Sequence, residues 1–486
     1  MTTISTSARP IQLDAAGYFF EGVSLFSAGR LVEAAAAYDA ALHLNPSMFE
    51  AHNNLGIVLQ VLGRHDAALA CHDRAIALSP QTADLYNSRG NCLILMHRPD
   101  DARESYAKCL ELNPDHALAM NNAAIFLHRE NRYPEALSRY EQAIAIAASQ
   151  GVDFDDARYN RGLLLLTLGD FEQGWADYDA RIPSLPGPTA AEPALDSLDG
   201  IDGKLVYIRA EQGYGDTLQF VRYLPMLREL GTRVVFECQP GLKALLEWSN
   251  LCDEIVERGP SNLLLPAPDG AHSTFVQSLP SLFRTDFASI PSTVPYLRPP
   301  VSREEEWRWK LDLDVATMDA MPTALGRHVA SGVKRVGIVW AGNQTDLYNR
   351  HRSCVLDDFA PLAGINGIHF FSLQKGPHST QALTPPEGMP LTHLGDDLAD
   401  FADTAAAMRQ MDLIITIDTS MCHLAGALGM PTWTLLPWCA DWRWFLNRVD
   451  SPWYPSMQLF RQSAPGDWTA LFERVATELK FWADGQ

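Results

Sequence analysis

Residues able to hold an anion gather where an apolar run stops. The run "DLIITID" ends in Asp418-Thr419-Ser420, and His423 stands four residues after Thr419, just before the small-residue segment "LAGALGMPTW". If a helix begins near Ser420, two hydroxyls and the first backbone N–H groups lie at its positive end, and an imidazole at i+4 returns to the same face. That set can bind a phosphate or another small anion. The same residues also read as a plain N-cap with His423 as a satisfied core residue, and spacing alone does not separate the two.

A second stretch, "EQGYGDTLQFVRYLP", places Asp216 after a tight Gly213-Tyr214-Gly215 turn, at the mouth of an expected helix. A carboxylate there is either a cap or a general base facing a cleft. Further along, Gly342 and Asn343 follow another apolar run directly, Arg350, His351 and Arg352 put cations into the same loop, and Lys375 with Gly376 follows "FSLQ". Singly these are surface charges; together at strand ends they could complement a diphosphate. Trp438, Trp442, Trp444, Trp453 and Tyr454 could stack on a base or sugar or simply pack a loop, with Asp441 and Arg443 among them as contacts to a hydroxyl or phosphate.

Parallel sheets are needed to bring such residues together. "KLVYIRAE" and "RVVFEC" flank the helical "DTLQFVRYLPMLRELG", with further strands expected at "EIVER" and "HSTFVQ". A second set runs through "RVGIVWAGN", "IHFFSLQKG", "DLIITID" and "PTWTLLP". The expectation is two doubly wound α/β halves, residues 204–300 and 334–486, joined through residues 301–333 with "REEEWRWKLD" as a solvated helix. Ligands of such sheets sit beyond the carboxyl ends of the strands.

The first third is periodic. Gly22, Gly56, Gly90 and Ala124 are spaced by 34, as are Ala34, Ala68, Ala102 and Ala136. A fixed period of this size means stacked helix pairs. Breaks at Gly29, Gly63, His97 and Asn131 separate the helices of each pair, Pro46, Pro80 and Pro114 end three units, and Tyr38, His72, Tyr106 and Tyr140 serve as large fillers. A fifth unit carrying Gly162 follows a four-residue insertion in "SQGVDFDD" and closes with "GDFEQGWADYDAR". These units form an α superhelical array over residues 16–181, and the Pro- and Gly-rich stretch 182–203 reads as a linker. Asn54, Ser88, Asn122 and Asn160 occupy one repeat position, where amides either pair with a peptide backbone or solvate the groove.

Thirty-eight basic against 59 acidic residues, a formal charge of -21, argue against a nucleic-acid partner. No apolar stretch of about 18 residues suggests a membrane span, and the N-terminus lacks a basic start with a long apolar core, so a cytoplasmic protein is expected. The eight cysteines form no C-x-x-C pair and read as reduced, structural thiols.

The 34-residue units resemble the tetratricopeptide repeat. The "DTSMCHLAGALGMPTW" segment and the "GYGD" turn resemble glycosyltransferase family 9, the lipopolysaccharide heptosyltransferases of GT-B fold, over residues 204 to 463. Bacterial proteins that place such repeats before this domain are similar, flagellin glycosyltransferases with an N-terminal array among them. The resemblance implies Asp216 as the catalytic base, with Gly215 beside the acceptor, and Asp418, Thr419, Ser420 and His423 as contacts to the diphosphate of a nucleotide-sugar. Gly342, Asn343, Arg350, Arg352 and Lys375 would complete the donor site, and Asn54, Asn122 and Asn160 would face a protein or peptide acceptor. It also implies inversion without a metal or other cofactor. The loop after "IVWAGN" lacks the family's lysine, whose role would pass to Arg350 or Arg352. Alternatives are a scaffold whose transferase halves have lost turnover, and a transferase acting on glycan or lipid.

Overall fold

The computed structural model describes residues 13–185, 192–316, 333–342 and 349–485. The chain forms two compact units that divide between Arg161 and Gly162. In the first, helices come in pairs: α1 (Ala15–Ser27) with α2 (Leu31–Leu44), α3 (Phe49–Val61) with α4 (His65–Leu78), α5 (Ala83–Leu95) with α6 (Pro99–Leu112), and α7 (Ala117–Arg129) with α8 (Tyr133–Ser149). The division falls within α9 (Asp155–Leu168), and α10 (Phe171–Tyr178) belongs to the second unit. Each expected break adopts the left-handed conformation that ends a helix, with φ of 74° at Gly29 and Gly63, 58° at His97 and 59° at Asn131. The small position is set by the filler. A Cβ on Gly22, Gly56 or Gly90 would lie 2.6, 2.7 and 2.5 Å from the rings of Tyr38, His72 and Tyr106, so glycine lets the ring close the hairpin.

The second unit holds two sheets, and every strand pair in them is parallel. The first comprises β1 (Leu205–Arg209), β2 (Arg233–Cys238), β3 (Glu254–Glu257) and β4 (His272–Phe275) in the order β3-β2-β1-β4. The second comprises β5 (Lys334–Val339), β6 (Ile368–Ser372), β7 (Leu391–His393), β8 (Leu413–Ile417), β9 (Thr432–Leu436) and β10 (Met457–Arg461) in the order β10-β9-β8-β5-β6-β7. The two α/β halves are therefore present. Strand order reverses between β1 and β4 in one sheet and between β5 and β8 in the other, and such reversals open a crevice at the carboxyl ends of those strands.

The near-continuous apolar runs of β5, β6, β8 and β9 follow from burial on both faces, with Val336, Ile338, Phe370, Leu413, Ile415 and Leu435 in one core. The helix Val301–Ala316 forms as expected and is not simply solvated. Trp309 is 67% exposed while Trp307 is buried, and Arg303 and Glu304 bond Asp403 and Arg409 on and just after the helix Phe401–Met408.

Candidate functional site

Asp216 lies in the first turn of α11 (Tyr214–Phe220), the helix that leaves β1. Its Oδ2 accepts a hydrogen bond from the Gly213 N–H at 3.0 Å, which caps the helix. Its Oδ1 accepts from the guanidinium of Arg443, which arrives from the loop after β9. The carboxylate thus caps the helix with one oxygen and keeps the other for a partner across the crevice. Arg443 also donates to Asp441 Oδ1 at 2.9 Å and to the side chain of Gln219, and its guanidinium lies 4.5 Å from the ring centre of Trp442. Burial pushes the Asp216 carboxyl above the usual carboxylate range, Arg443 pulls it back, and the net direction is upward.

Asp418 follows β8 directly, and the helix Ser420–Ala427 begins one residue after the N-cap Thr419, whose Oγ1 accepts from the Met421 N–H at 3.3 Å. The two helix starts meet. A Cβ on Gly215 would lie 2.8 Å from His423 Cδ2 and 3.4 Å from Ser420 Cα, so α11 and the 420–427 helix approach over a glycine. His423 is buried, with Nδ1 2.9 Å from the Tyr454 hydroxyl and its ring stacked on Trp444 at 5.5 Å. Burial first, then Arg443, Arg222 and Arg352, hold the imidazole well below its ordinary value, so it is neutral at pH 7. Asp418 is buried and raised by that burial; Arg352 Nη1 stands 3.8 Å from its Oδ2 and opposes the shift.

Asp418, Cys422 and His423 place three possible metal-ligating atoms within 4.8 Å of one another. The Cys422 thiol already donates to the Thr419 carbonyl at 2.9 Å, and burial keeps it protonated. The guanidiniums that depress His423 would also repel a cation, so this end of the crevice suits a small anion better.

Other expected residues are placed as follows. Gly342 follows β5 and donates its N–H to Ser353 Oγ at 3.3 Å. Asn343 and the side chain of Arg350 lie outside the described residues. Arg352 turns toward Asp418, and Lys375 bonds the Leu398 carbonyl, so the cations after the two strands do not share one target. Trp442, Trp444, Trp453 and Tyr454 are buried; Trp438 is half-buried at the end of β9. In the first unit, Asn122 Nδ2 donates to Asn87 Oδ1 at 3.2 Å and Asn91 Oδ1 at 3.1 Å, and Asn160 Nδ2 donates to Asn121 Oδ1 at 3.1 Å. These amides bridge successive repeats. Asn54 is tied to the Tyr38 hydroxyl.

Two residues with defined work gave no sequence signal. Gln374 accepts from the N–H groups of Trp340 at 3.1 Å and Ala341 at 2.9 Å, fixing the loop after β5. Glu211, in the turn before Asp216, is buried against Arg181 at 2.6 Å. Pairing across such distances in sequence leaves no periodic trace.

Residues 47–115 and 81–149 match the family described as Tetratricopeptide repeat, and residues 22–63 match one described as TPR repeat. The first unit is a TPR array, a scaffold for protein interaction. Over 343 residues the chain is 27% identical to Protein FlbA of Caulobacter vibrioides, covering 67% of this chain and 55% of FlbA, so it spans about half the length of that relative. Among solved structures, YrrB, a TPR protein with an unusual peptide-binding site, is 26% identical over 36% of this chain and 87% of its own, with a TM-score of 0.28. TTC0263, a thermophilic TPR protein of Thermus thermophilus, is 20% identical over 35% of this chain and 92% of its own, with a TM-score of 0.31. No described helix is long and apolar enough to cross a membrane.

Proposed function

We propose that the second unit transfers a glycosyl group from a nucleotide-sugar to a protein acceptor, flagellin among the candidates, that the TPR array recruits. The acceptor hydroxyl attacks the anomeric carbon, its proton passes to Asp216, and the bond from that carbon to the phosphate oxygen breaks to release the nucleoside diphosphate. Thr419, Ser420 and the amides of the first turn of the 420–427 helix would receive the departing charge, with Arg352 beside them. Such a step needs inversion at carbon and no metal.

One observation carries the reading: the helix start that bears Asp216 and the start of the 420–427 helix, each after a strand next to a reversal of sheet order, meet over Gly215. A carboxyl raised by burial is a better base than a free one. The experiment is calorimetry of the full chain with UDP-, GDP-, ADP-, TDP- and CMP-linked sugars, alongside Ser420→Ala and Asp216→Asn. Binding of one nucleotide class that weakens in Ser420→Ala is expected, as is a loss of transfer by about 10²-fold or more in Asp216→Asn with the donor still bound.

A non-catalytic scaffold is the second reading, favoured by the way His423 is enclosed by Trp444, Tyr454 and Gly215. No binding of any nucleotide would decide for it. Transfer to glycan or lipid instead of protein would leave the donor site as proposed and reassign the array to assembly.

A further inference from the structure

Phe171, Trp175, Tyr178 and Arg181 are spaced by four, three and three residues, so α10 and the helical turn after it present them on one face. That face supports two loops. Trp175 donates its indole N–H to the Thr285 carbonyl at 2.8 Å, and its ring meets Trp442 edge-on at 5.3 Å and 90°. The Tyr178 ring packs on Trp442 at 6.0 Å and its hydroxyl bonds Gln277. Phe171 lies 5.9 Å from Phe445. The loop gripped in this way, 442–445, carries Arg443, the partner of Asp216 Oδ1.

The second loop is the turn that holds the other oxygen. Arg181 donates to Glu211 from Nη2 at 2.6 Å and Nε at 3.1 Å, with further bonds to Asp179 Oδ1 at 2.7 Å and Ser278 Oγ at 3.0 Å. Glu211 starts the short turn whose Gly213 N–H bonds Asp216 Oδ2. Both hydrogen bonds that orient the Asp216 carboxylate therefore trace back to one helical face. A planar guanidinium with a forked bond fixes that turn in direction as well as distance.

We propose that Trp175, Tyr178 and Arg181 form a positioning element for Asp216, aiming its carboxylate through the Arg443 loop on one side and the Glu211 turn on the other. The catalytic sense of this inference rests on the proposed role of Asp216 as the base. Among the described residues, the charged and titratable groups around Asp216 are Arg443 and Asp441 from the loop after β9, Arg352 from the short helix Asn349–Arg352, Glu211 from the turn after β1, and His423 beside Gly215.

The test uses the full chain as Trp175→Leu and Arg181→Met, with Trp175→Phe and Arg181→Lys as conservative variants. Two readouts are taken: turnover and donor affinity, and the titration of the Asp216 carboxyl by carbon NMR of aspartate-labelled protein, assigned with Asp216→Asn. Donor affinity should stay at the wild-type level while kcat falls by about tenfold to a hundredfold, as expected for a misplaced reacting group. The Asp216 midpoint should move up, because Arg443 drifts away in the first variant and the turn that aims the Gly213 N–H at Oδ2 loosens in the second. The conservative variants should recover part of both. An Asp216 midpoint that stays in place in Trp175→Leu and Arg181→Met overturns the inference. If the wild-type chain transfers no sugar, the proposed function fails, and the midpoint still decides the positioning claim. Should Arg181→Met not fold, Arg181→Met with Glu211→Gln leaves no lone buried charge and carries the same measurement.

Discussion

Gly215→Ala places one methyl group where α11 meets the 420–427 helix. The new Cβ would stand 2.8 Å from His423 Cδ2 and 3.4 Å from Ser420 Cα, whereas carbon atoms rest at about 3.5–4.0 Å. The imidazole cannot turn aside freely, being bonded to Tyr454 and stacked on Trp444. The two helices must then part by roughly 0.7–1 Å. Gly215 is helical with ordinary φ, so alanine meets no backbone strain and gains about 1 kcal/mol of helix propensity, against an overpacking cost of about 1–3 kcal/mol. The net destabilisation is about 0–2 kcal/mol, while a shift of about 1 Å between the proposed base and the proposed donor-binding helix would cost about a hundredfold in turnover. Activity should therefore fall much further than stability. Denaturation midpoints and turnover are measured for Gly215→Ala, His423→Ala and the double variant. If the clash is with the imidazole, the methyl costs stability in the wild-type background and almost none beside Ala at 423. Equal costs in both backgrounds refute the close approach, and unchanged kcat refutes its functional meaning.

Arg222 joins the two α/β halves through bonds to the carbonyls of Gln219 and Trp453 at 2.7 Å and Pro291 at 3.1 Å, and to the Tyr296 hydroxyl at 2.8 Å. Arg222→Met should cost about 3 kcal/mol or more by leaving these buried acceptors unmet; a thermal midpoint equal to wild type would rule out the latch. His72 fills the place that tyrosine fills in three other repeats, and burial lowers it from 6.5 to about 4. Between those values the unfolded chain binds the proton and the folded one does not, so stability is full above 6.5 and drops as pH falls toward 4, by about 3 kcal/mol. His72→Tyr should remove that loss, and identical acid sensitivity in urea melts of the variant would contradict the assignment. Asp216 and Asp418 are both raised by burial, and a diphosphate added beside them raises them further. Nucleoside diphosphate binding should therefore take up protons and tighten as pH falls; calorimetric heats that do not depend on the buffer's ionisation enthalpy would count against an anion at this site.

The repeats were legible because one constraint recurs: a ring must lie on a residue without a side chain, and the spacing of 34 shows it at Gly22, Gly56 and Gly90. The buried strands were legible as apolar runs. β7, three residues long, and β10, whose short run is interrupted by the exposed Gln458, escaped the same reading. Asp216 could be named from its turn, yet nothing local connects it to Arg443, which lies 227 residues away in sequence. The loop cations show the reverse failure. Arg352 and Lys375 look alike at strand ends, but one faces a carboxylate and the other a backbone carbonyl, a difference set by loop paths that residue type does not encode. Likewise the tail of the repeat pattern, "FEQGWADYDAR", keeps its helical period while its aromatic face packs on the α/β unit, because periodicity records which face is buried and not against what.

Stability alone does not account for the crevice. Asp216, Asp418 and Asp441 stand there against Arg443 and Arg352. Burying such a cluster stabilises less than apolar packing of the same volume would. The surrounding core does use apolar packing, with Trp442, Trp444, Trp453 and Tyr454 closed around the charges. Polar groups sit where the strand order of each sheet reverses, and hydrophobic ones enclose them. A site that must accept a proton beside a helix start suited to an anion needs this arrangement; a core that must only hold two sheets together does not.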